Sequence, residues 1–202
     1  MSFLQGLWNG LLSGWIAIGT HLFPHTIHPM LVHFPIALLY LALLVEIIRF
    51  VTKSRGDRFF DRASFWILTL SLFALVATAL AGILAEQYVR FTPTTSALLS
   101  AHQRDAVLTG VFALAAWVVR VIKKYPMREV KGREQGWSLF KTGRGKSSLL
   151  STLLLLGAVI MVSITGSLGG SMVYHYGVGT PSTLKPQYAA ALSAKYPQGH
   201  ER

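Results

Sequence analysis

Long apolar runs separated by shorter polar stretches dominate the pattern along this chain of 202 residues. Four of the runs approach or exceed the roughly 20 residues that a helix needs to cross the hydrocarbon core of a bilayer. They lie at about 30–50, 63–88, 97–122 and 148–175. The pattern therefore predicts an all-α membrane protein in which residues 28–179 form a four-transmembrane-helix bundle.

The first 27 residues show a different, amphipathic pattern. Apolar residues recur there at helical spacing, with polar residues and glycines on the other side, and tryptophan favours the headgroup region of a membrane. We interpret residues 1–27 as an N-terminal interfacial helix, because an apolar run of about 17 residues with three glycines is a poor span. Residues 180–202 are interpreted as a C-terminal tail outside the membrane.

The composition restricts the chemistry. Hydrophobic residues make up 52% of the sequence and charged residues only 13%, which is too apolar for an ordinary soluble domain. The sequence contains no cysteine, which excludes disulfides, thiolate metal sites and the covalent attachment of c-type haem. A metal would have to be held by histidine, methionine or carboxylate.

The formal charge of +11 is concentrated in two loops. The segments between helices 1 and 2, counted from Arg49, and between helices 3 and 4, counted from Arg120, hold 5 and 9 of the 19 Lys and Arg. The positive-inside rule makes both loops cytoplasmic and both termini periplasmic in a bacterial inner membrane. Membrane lipid, and no nucleic acid, is the partner that this charge distribution indicates. The second loop has room for a surface-lying helix around Trp137–Phe140.

Four histidines stand near the ends of the predicted spans on the periplasmic side: His28, His33, His102 and His175. A histidine near a membrane-embedded segment is costly unless it binds something, lines a cavity or sits at the interface. Helix bundles ligate cofactors with side chains from facing helices, and a b-type haem needs two axial imidazoles. We therefore expect a haem b, one or two per chain, with His33 and His175 as first candidates and His102 or His28 as partner.

Further residues fit the same site. Gly166, Gly169 and Gly170 lie on helix 4 before His175, and a glycine lets a porphyrin face approach because it has no Cβ. Arg104 is a candidate for contacts with haem propionates. Alternatively, the three glycines form a face for close helix packing, and the side chain of Arg104 extends to the membrane interface.

Two other functions use the same residues. The imidazoles could hold copper or zinc, with Met30 or Met172 as soft ligands for Cu(I). Alternatively, the histidines are merely interfacial and the chain is a structural or assembly subunit of a larger respiratory or photosynthetic membrane complex. Haem, a bare metal ion and no ligand at all are compatible with the same histidines at the same depth in the membrane, so the sequence does not distinguish these possibilities.

Two stretches, IHPMLVHFPIALL at 27–39 and GGSMVYHYGVG at 169–179, resemble the signatures of the predicted bacterial membrane proteins of domain-of-unknown-function family 2231. The resemblance covers roughly residues 27–180, and its motif histidines correspond to His28, His33 and His175. It implies a four-helix protein. The association of some members with c-type cytochrome domains implies respiratory electron transfer. Tyr176 departs from the pattern, because glycine is usual at that position.

The residues and the resemblance together predict a b-type cytochrome-like subunit. It would bind haem near the periplasmic face and exchange electrons with a periplasmic c-type cytochrome or a partner subunit. Such a chain is an electron-transfer or accessory subunit rather than a stand-alone enzyme.

Overall fold

The computed structural model describes residues 3–52, 59–122 and 148–195, and these are helical except for short connections. One isolated antiparallel bridge, between Val89 and Leu184, is the sole β-type pairing in these three ranges. The helices are α1 (Phe3–Leu22), α2 (Ile27–Leu31), α3 (His33–Thr52), α4 (Phe59–Tyr88), α5 (Pro93–Ile122), α6 (Leu149–Tyr174) and α7 (Pro186–Lys195).

Four stretches are long and apolar enough to cross a membrane, which confirms the predicted fold class. Large apolar side chains such as Phe73, Val111 and Ile160 are exposed along them, as expected of surfaces that face lipid. Helix α1 is present as predicted, and its interfacial position stays a prediction. The surface helix expected at 137–140 lies outside the described residues. The candidate spans are Ile27–Val51, Phe59–Tyr88, Pro93–Ile122 and Leu149–Tyr174.

The first span is broken into α2 and α3, and Pro35 provides the physical reason. Proline has no backbone N–H, so the carbonyl of Leu31, four residues earlier, lacks its usual helical donor. The hydroxyl of Thr78 donates to that carbonyl instead, at 3.3 Å. The backbone of Val32 keeps right-handed helical angles (φ −59°, ψ −26°), so only the hydrogen-bond pattern is interrupted between α2 and α3, and α2 is tied to α4.

Helix ends follow local sequence signals. Thr92 and Thr95 cap α5 reciprocally, since each backbone N–H donates to the hydroxyl of the other residue, at 2.8 and 3.3 Å. Ser148 and Ser151 cap α6 in the same way. Beyond α6, Gly177 adopts a left-handed φ of 64°, and its N–H donates to the carbonyl of Val173 at 3.0 Å, which is the hydrogen bond of an αL cap.

The chain divides into two compact units. The first unit comprises the described parts of Met1–His33, Leu75–Arg104 and Thr165–Arg202, and the second comprises Phe34–Ala74 and the described parts of Asp105–Ile164. Helices α4, α5 and α6 each contribute one part of their length to each unit.

In the first unit, α1 packs on α4. The indole N–H of Trp15 donates to the carbonyl of Leu80 at 3.1 Å. Gly19 faces the side chain of Leu84, and a Cβ at position 19 would lie only 2.6 Å from it. The missing side chain of Gly19 therefore permits the close approach of the two helices.

The segment after α6 folds back onto the end of α4. Leu184 is buried against Tyr88 and Val89. The ring centroids of Tyr88 and of Tyr188 on α7 lie 4.5 Å apart. Leu192 packs against the same cluster. The C-terminal tail is thus anchored by an apolar contact and a backbone bridge.

In the second unit, a buried ion pair joins four helices. The guanidinium of Arg120 on α5 lies 2.9 Å from the carboxylate of Glu46 on α3, and both side chains are fully buried. Arg120 also donates to Ser64 on α4 at 2.8 Å, and Thr152 on α6 donates to Glu46 at 3.0 Å. Arg120, counted above with the basic loop, is instead an interior helical residue.

Replacing Arg120 by methionine should lower the free energy of unfolding by about 3–5 kcal/mol, because Glu46 would keep a buried charge without its closest counter-ion. Chemical denaturation in detergent measures this. Replacing the exposed Arg62 by methionine is the control, with an expected change within about 0.5 kcal/mol. The double variant Glu46→Leu with Arg120→Met should recover most of the loss. Equal small effects of the Arg120 and Arg62 substitutions would contradict the structural role of the ion pair.

Replacing Leu184 by aspartate should release α7, because a charge would be placed in the apolar cluster around Tyr88. Limited chymotrypsin digestion after Tyr188, which packs on Tyr88 in the intact cluster, should become at least several-fold faster. The matched control is Ser193→Asp, which adds the same charge at an exposed position of α7. Equal digestion rates for the two variants would contradict the anchoring of the tail.

Candidate functional site

Two of the four predicted histidines meet in the first unit. The ring centroids of His28 on α2 and His102 on α5 lie 6.2 Å apart, with an angle of 79° between the ring planes. Both side chains are half-buried. The structure therefore brings together two histidines that the sequence analysis named only as partners for His33 or His175.

Each ring of this histidine pair is fixed by a backbone carbonyl of a neighbouring helix. Nδ1 of His28 lies 3.0 Å from the carbonyl oxygen of Thr78 on α4, and Nδ1 of His102 lies 3.0 Å from that of Thr165 on α6. A carbonyl oxygen can only accept, so Nδ1 carries the proton in both contacts. In the neutral tautomer this leaves the lone pair on Nε2, which is the state that ligates a metal.

A glycine lies beside each ring. A Cβ at Gly82 on α4 would stand 3.2 Å from Nδ1 of His28, and a Cβ at Gly169 on α6 would stand 3.2 Å from Cε1 of His102. Both distances are tighter than ordinary contacts. Gly169 is one of the glycines that the sequence singled out for this site, and Gly82 is not among them.

The short helix that carries His28 is held from two sides. Thr78 accepts from His28 through its carbonyl and donates to Leu31 through its hydroxyl. The hydroxyl of Tyr88 lies 2.9 Å from the carbonyl of Thr20 and 2.7 Å from that of Phe23, so it ties down the chain just before α2. Residues of α4 therefore set the position of the first imidazole.

The other predicted residues lie elsewhere in the first unit. His33 begins α3 and His175 follows the last residue of α6, and both side chains are exposed. A Cβ at Gly166 or Gly170 would meet nothing within 4 Å. Arg104 is exposed. Their roles in cofactor binding stay predictions.

Next to His102, Gln103 donates to the carboxylate of Glu86 on α4 at 2.7 Å. This bond joins α4 and α5 one turn beyond Gly82 and one residue after His102. It adds a polar tie between the two helices that border the histidine pair.

The histidine pair offers two imidazole ligands. Within residues 3–52, 59–122 and 148–195, no group of three or more His, Asp or Glu side chains could hold a metal ion. With metal–nitrogen bonds of about 2.0–2.1 Å, one ion can join imidazoles whose ring centres are up to about 6.4 Å apart. The observed 6.2 Å lies within this reach.

Sequence reasoning missed the residues that orient the rings. Thr78 and Thr165 act through main-chain carbonyls, which every residue has, so the residue type gives no signal of this role. The detectable signal is a repeated spacing, because each threonine whose carbonyl accepts from an imidazole stands four residues before the glycine beside that ring, in TALAG at 78–82 and TGSLG at 165–169.

Comparisons with known proteins give one positive result. No curated protein and no solved structure shows significant similarity to the chain. A family model described as "Predicted membrane protein (DUF2231)" matches residues 24–182, which include all four predicted spans and the histidine pair. The chain belongs to this family of predicted membrane proteins.

Proposed function

We propose that the protein is a b-type cytochrome-like membrane subunit that binds one haem b between His28 and His102 and passes single electrons. The observation that carries this proposal is the histidine pair itself. Two imidazoles from different helices lie 6.2 Å apart, and each is fixed through Nδ1 by a backbone carbonyl. No covalent attachment is needed for a b-type haem.

The donor count favours haem over a bare ion. Zinc sites take three or four protein ligands, whereas a porphyrin supplies four nitrogens itself and asks the protein for two axial ligands. The pair formed by His28 and His102 meets the second requirement. It does not meet the first within the part of the chain that the structure describes.

Each residue of the pair has a definable role. His28 and His102 would hold the haem through Nε2, and the bonds from their Nδ1–H groups to Thr78 and Thr165 keep the rings in one tautomer and would increase the basicity of Nε2. Partial burial of both rings limits access of water to the site. Haem b, when bound, supplies reversible one-electron transfer at its iron.

The proposal includes a location and a partner. The distribution of Lys and Arg supports an orientation with both termini on the periplasmic side of a bacterial inner membrane. A site in the first unit, which contains the short segment between α4 and α5, would then serve a periplasmic c-type cytochrome or another subunit of a membrane complex. Gly166, Gly170 and Arg104 are retained as candidates for contacts with the porphyrin or its propionates.

Protein produced with ample haem and purified in detergent should show the reduced α-band of a b-type haem, with about one haem per chain in a pyridine haemochrome assay. His28→Ala and His102→Ala should each lower the bound haem at least tenfold, because one axial ligand is lost. His21→Ala, at an exposed position of α1, should leave the haem content unchanged.

Two results would contradict the proposal. A wild-type protein without haem, with or without stoichiometric copper or zinc by elemental analysis, would favour a bare metal site or a structural subunit. Loss of haem in His33→Ala and His175→Ala, with retention in the His28 and His102 variants, would move the site to the exposed histidines.

A further inference from the structure

The two imidazoles are held by the same local device on two different helices. On α4, the carbonyl of Thr78 accepts from His28 and Gly82 lies beside the ring. On α6, the carbonyl of Thr165 accepts from His102 and Gly169 lies beside the ring. The spacing from threonine to glycine is four residues in both cases.

Helix geometry explains why the spacing is four. Every Cα–Cβ bond of an α-helix tilts toward the N-terminus, so a side chain covers the turn before its own Cα. The carbonyl of residue i already accepts from the N–H of residue i+4, and a second donor must approach it over that same residue. The indole of Trp15 reaches the carbonyl of Leu80 past Leu84, so a side chain at i+4 does not block every second donor. Beside the two imidazoles it would crowd the ring, because a Cβ at position 82 or 169 would stand 3.2 Å from a ring atom.

We infer that Gly82 and Gly169 are positioning residues that open the carbonyls of Thr78 and Thr165 to the Nδ1–H groups of His28 and His102. The distances agree with this assignment. A methyl group at either position would stand 3.2 Å from a ring atom, so the ring would have to move by a few tenths of an ångström. We call each set of threonine carbonyl, glycine and imidazole a histidine clasp.

The clasp determines which nitrogen of each imidazole keeps its proton. A ring that loses the carbonyl is no longer held as the Nδ1–H tautomer, and the lone pair is no longer fixed on Nε2. Since partners that orient a ligand typically contribute 10–100-fold in affinity, the clasps would matter for a bound haem as well. The assignment rests on the proposed function for its ligand, but its geometry is independent of any ligand.

The test uses Gly82→Ala and Gly169→Ala in the full chain, with Gly110→Ala as the matched control. Gly110 also lies within a membrane-spanning helix, but a Cβ there would meet nothing within 4 Å. The first readout is the tautomer of each imidazole in haem-free protein, from NMR of ¹³C,¹⁵N-labelled histidine in detergent. Signals are assigned with His28→Gln and His102→Gln.

Wild-type protein and the Gly110 variant should show both His28 and His102 as Nδ1–H tautomers. Gly82→Ala should change only the signal of His28, and Gly169→Ala only that of His102. Thermal unfolding should stay unchanged or move upward in both variants, because alanine favours a helix more than glycine does. Unchanged tautomers in both variants would overturn the assignment.

The second readout is the dissociation constant for haem, which should rise about 10–100-fold in each of the Gly82 and Gly169 variants and stay constant in the Gly110 variant. The two readouts separate the two proposals. Changed tautomers in a chain that binds no haem would keep the clasps and reject the cytochrome function. Haem binding with unchanged tautomers would keep the function and reject the clasps.

Discussion

Polar groups inside a bilayer have no water to bond, so each must find its partner within the protein. This constraint accounts for the main features of both units. In the second unit, Glu46 and Arg120 are fully buried and pair with each other, Arg120 donates to Ser64, and Glu46 accepts from Thr152. In the first unit, His28 and His102 donate to backbone carbonyls of adjacent helices. The two units thus meet the same requirement with different chemistry. The second unit pairs two opposite charges, and in the first unit the Nδ1–H group of each imidazole donates to a backbone carbonyl.

The carbonyl bonds give the histidine pair its chemical character. A helix carbonyl normally accepts from its own i+4 donor, and a second donor must fit beside that turn of the helix. Glycine gives the imidazole room there in both cases. The proline after α2 contributes in a related way, because it removes the donor for Leu31 and lets Thr78 take that place. Gly82 and Gly169, which have no side chain, and Pro35, which has no backbone N–H, therefore make room for the hydrogen bonds between helices that fix the site.

The sequence was sufficient to predict the four candidate spans, because length and hydropathy alone determine which helices can cross a bilayer. It also directed attention to His28 and His102, since imidazoles near a span are costly. It did not predict that these two would meet, because partner choice depends on helix rotation and register, which a hydropathy pattern leaves open. It misplaced Arg120 for a similar reason: a basic residue at the end of an apolar run looks like loop charge until its partner Glu46, far away in sequence, is known.

Low-temperature electron paramagnetic resonance of the oxidised, detergent-purified protein tests the central claim most directly, because it reports the axial ligands of a ferric haem. A haem held between His28 and His102 should give a low-spin ferric signal typical of two imidazole ligands, integrating to about one spin per chain. A high-spin signal, or no ferric haem signal from protein made with ample haem, would contradict the account.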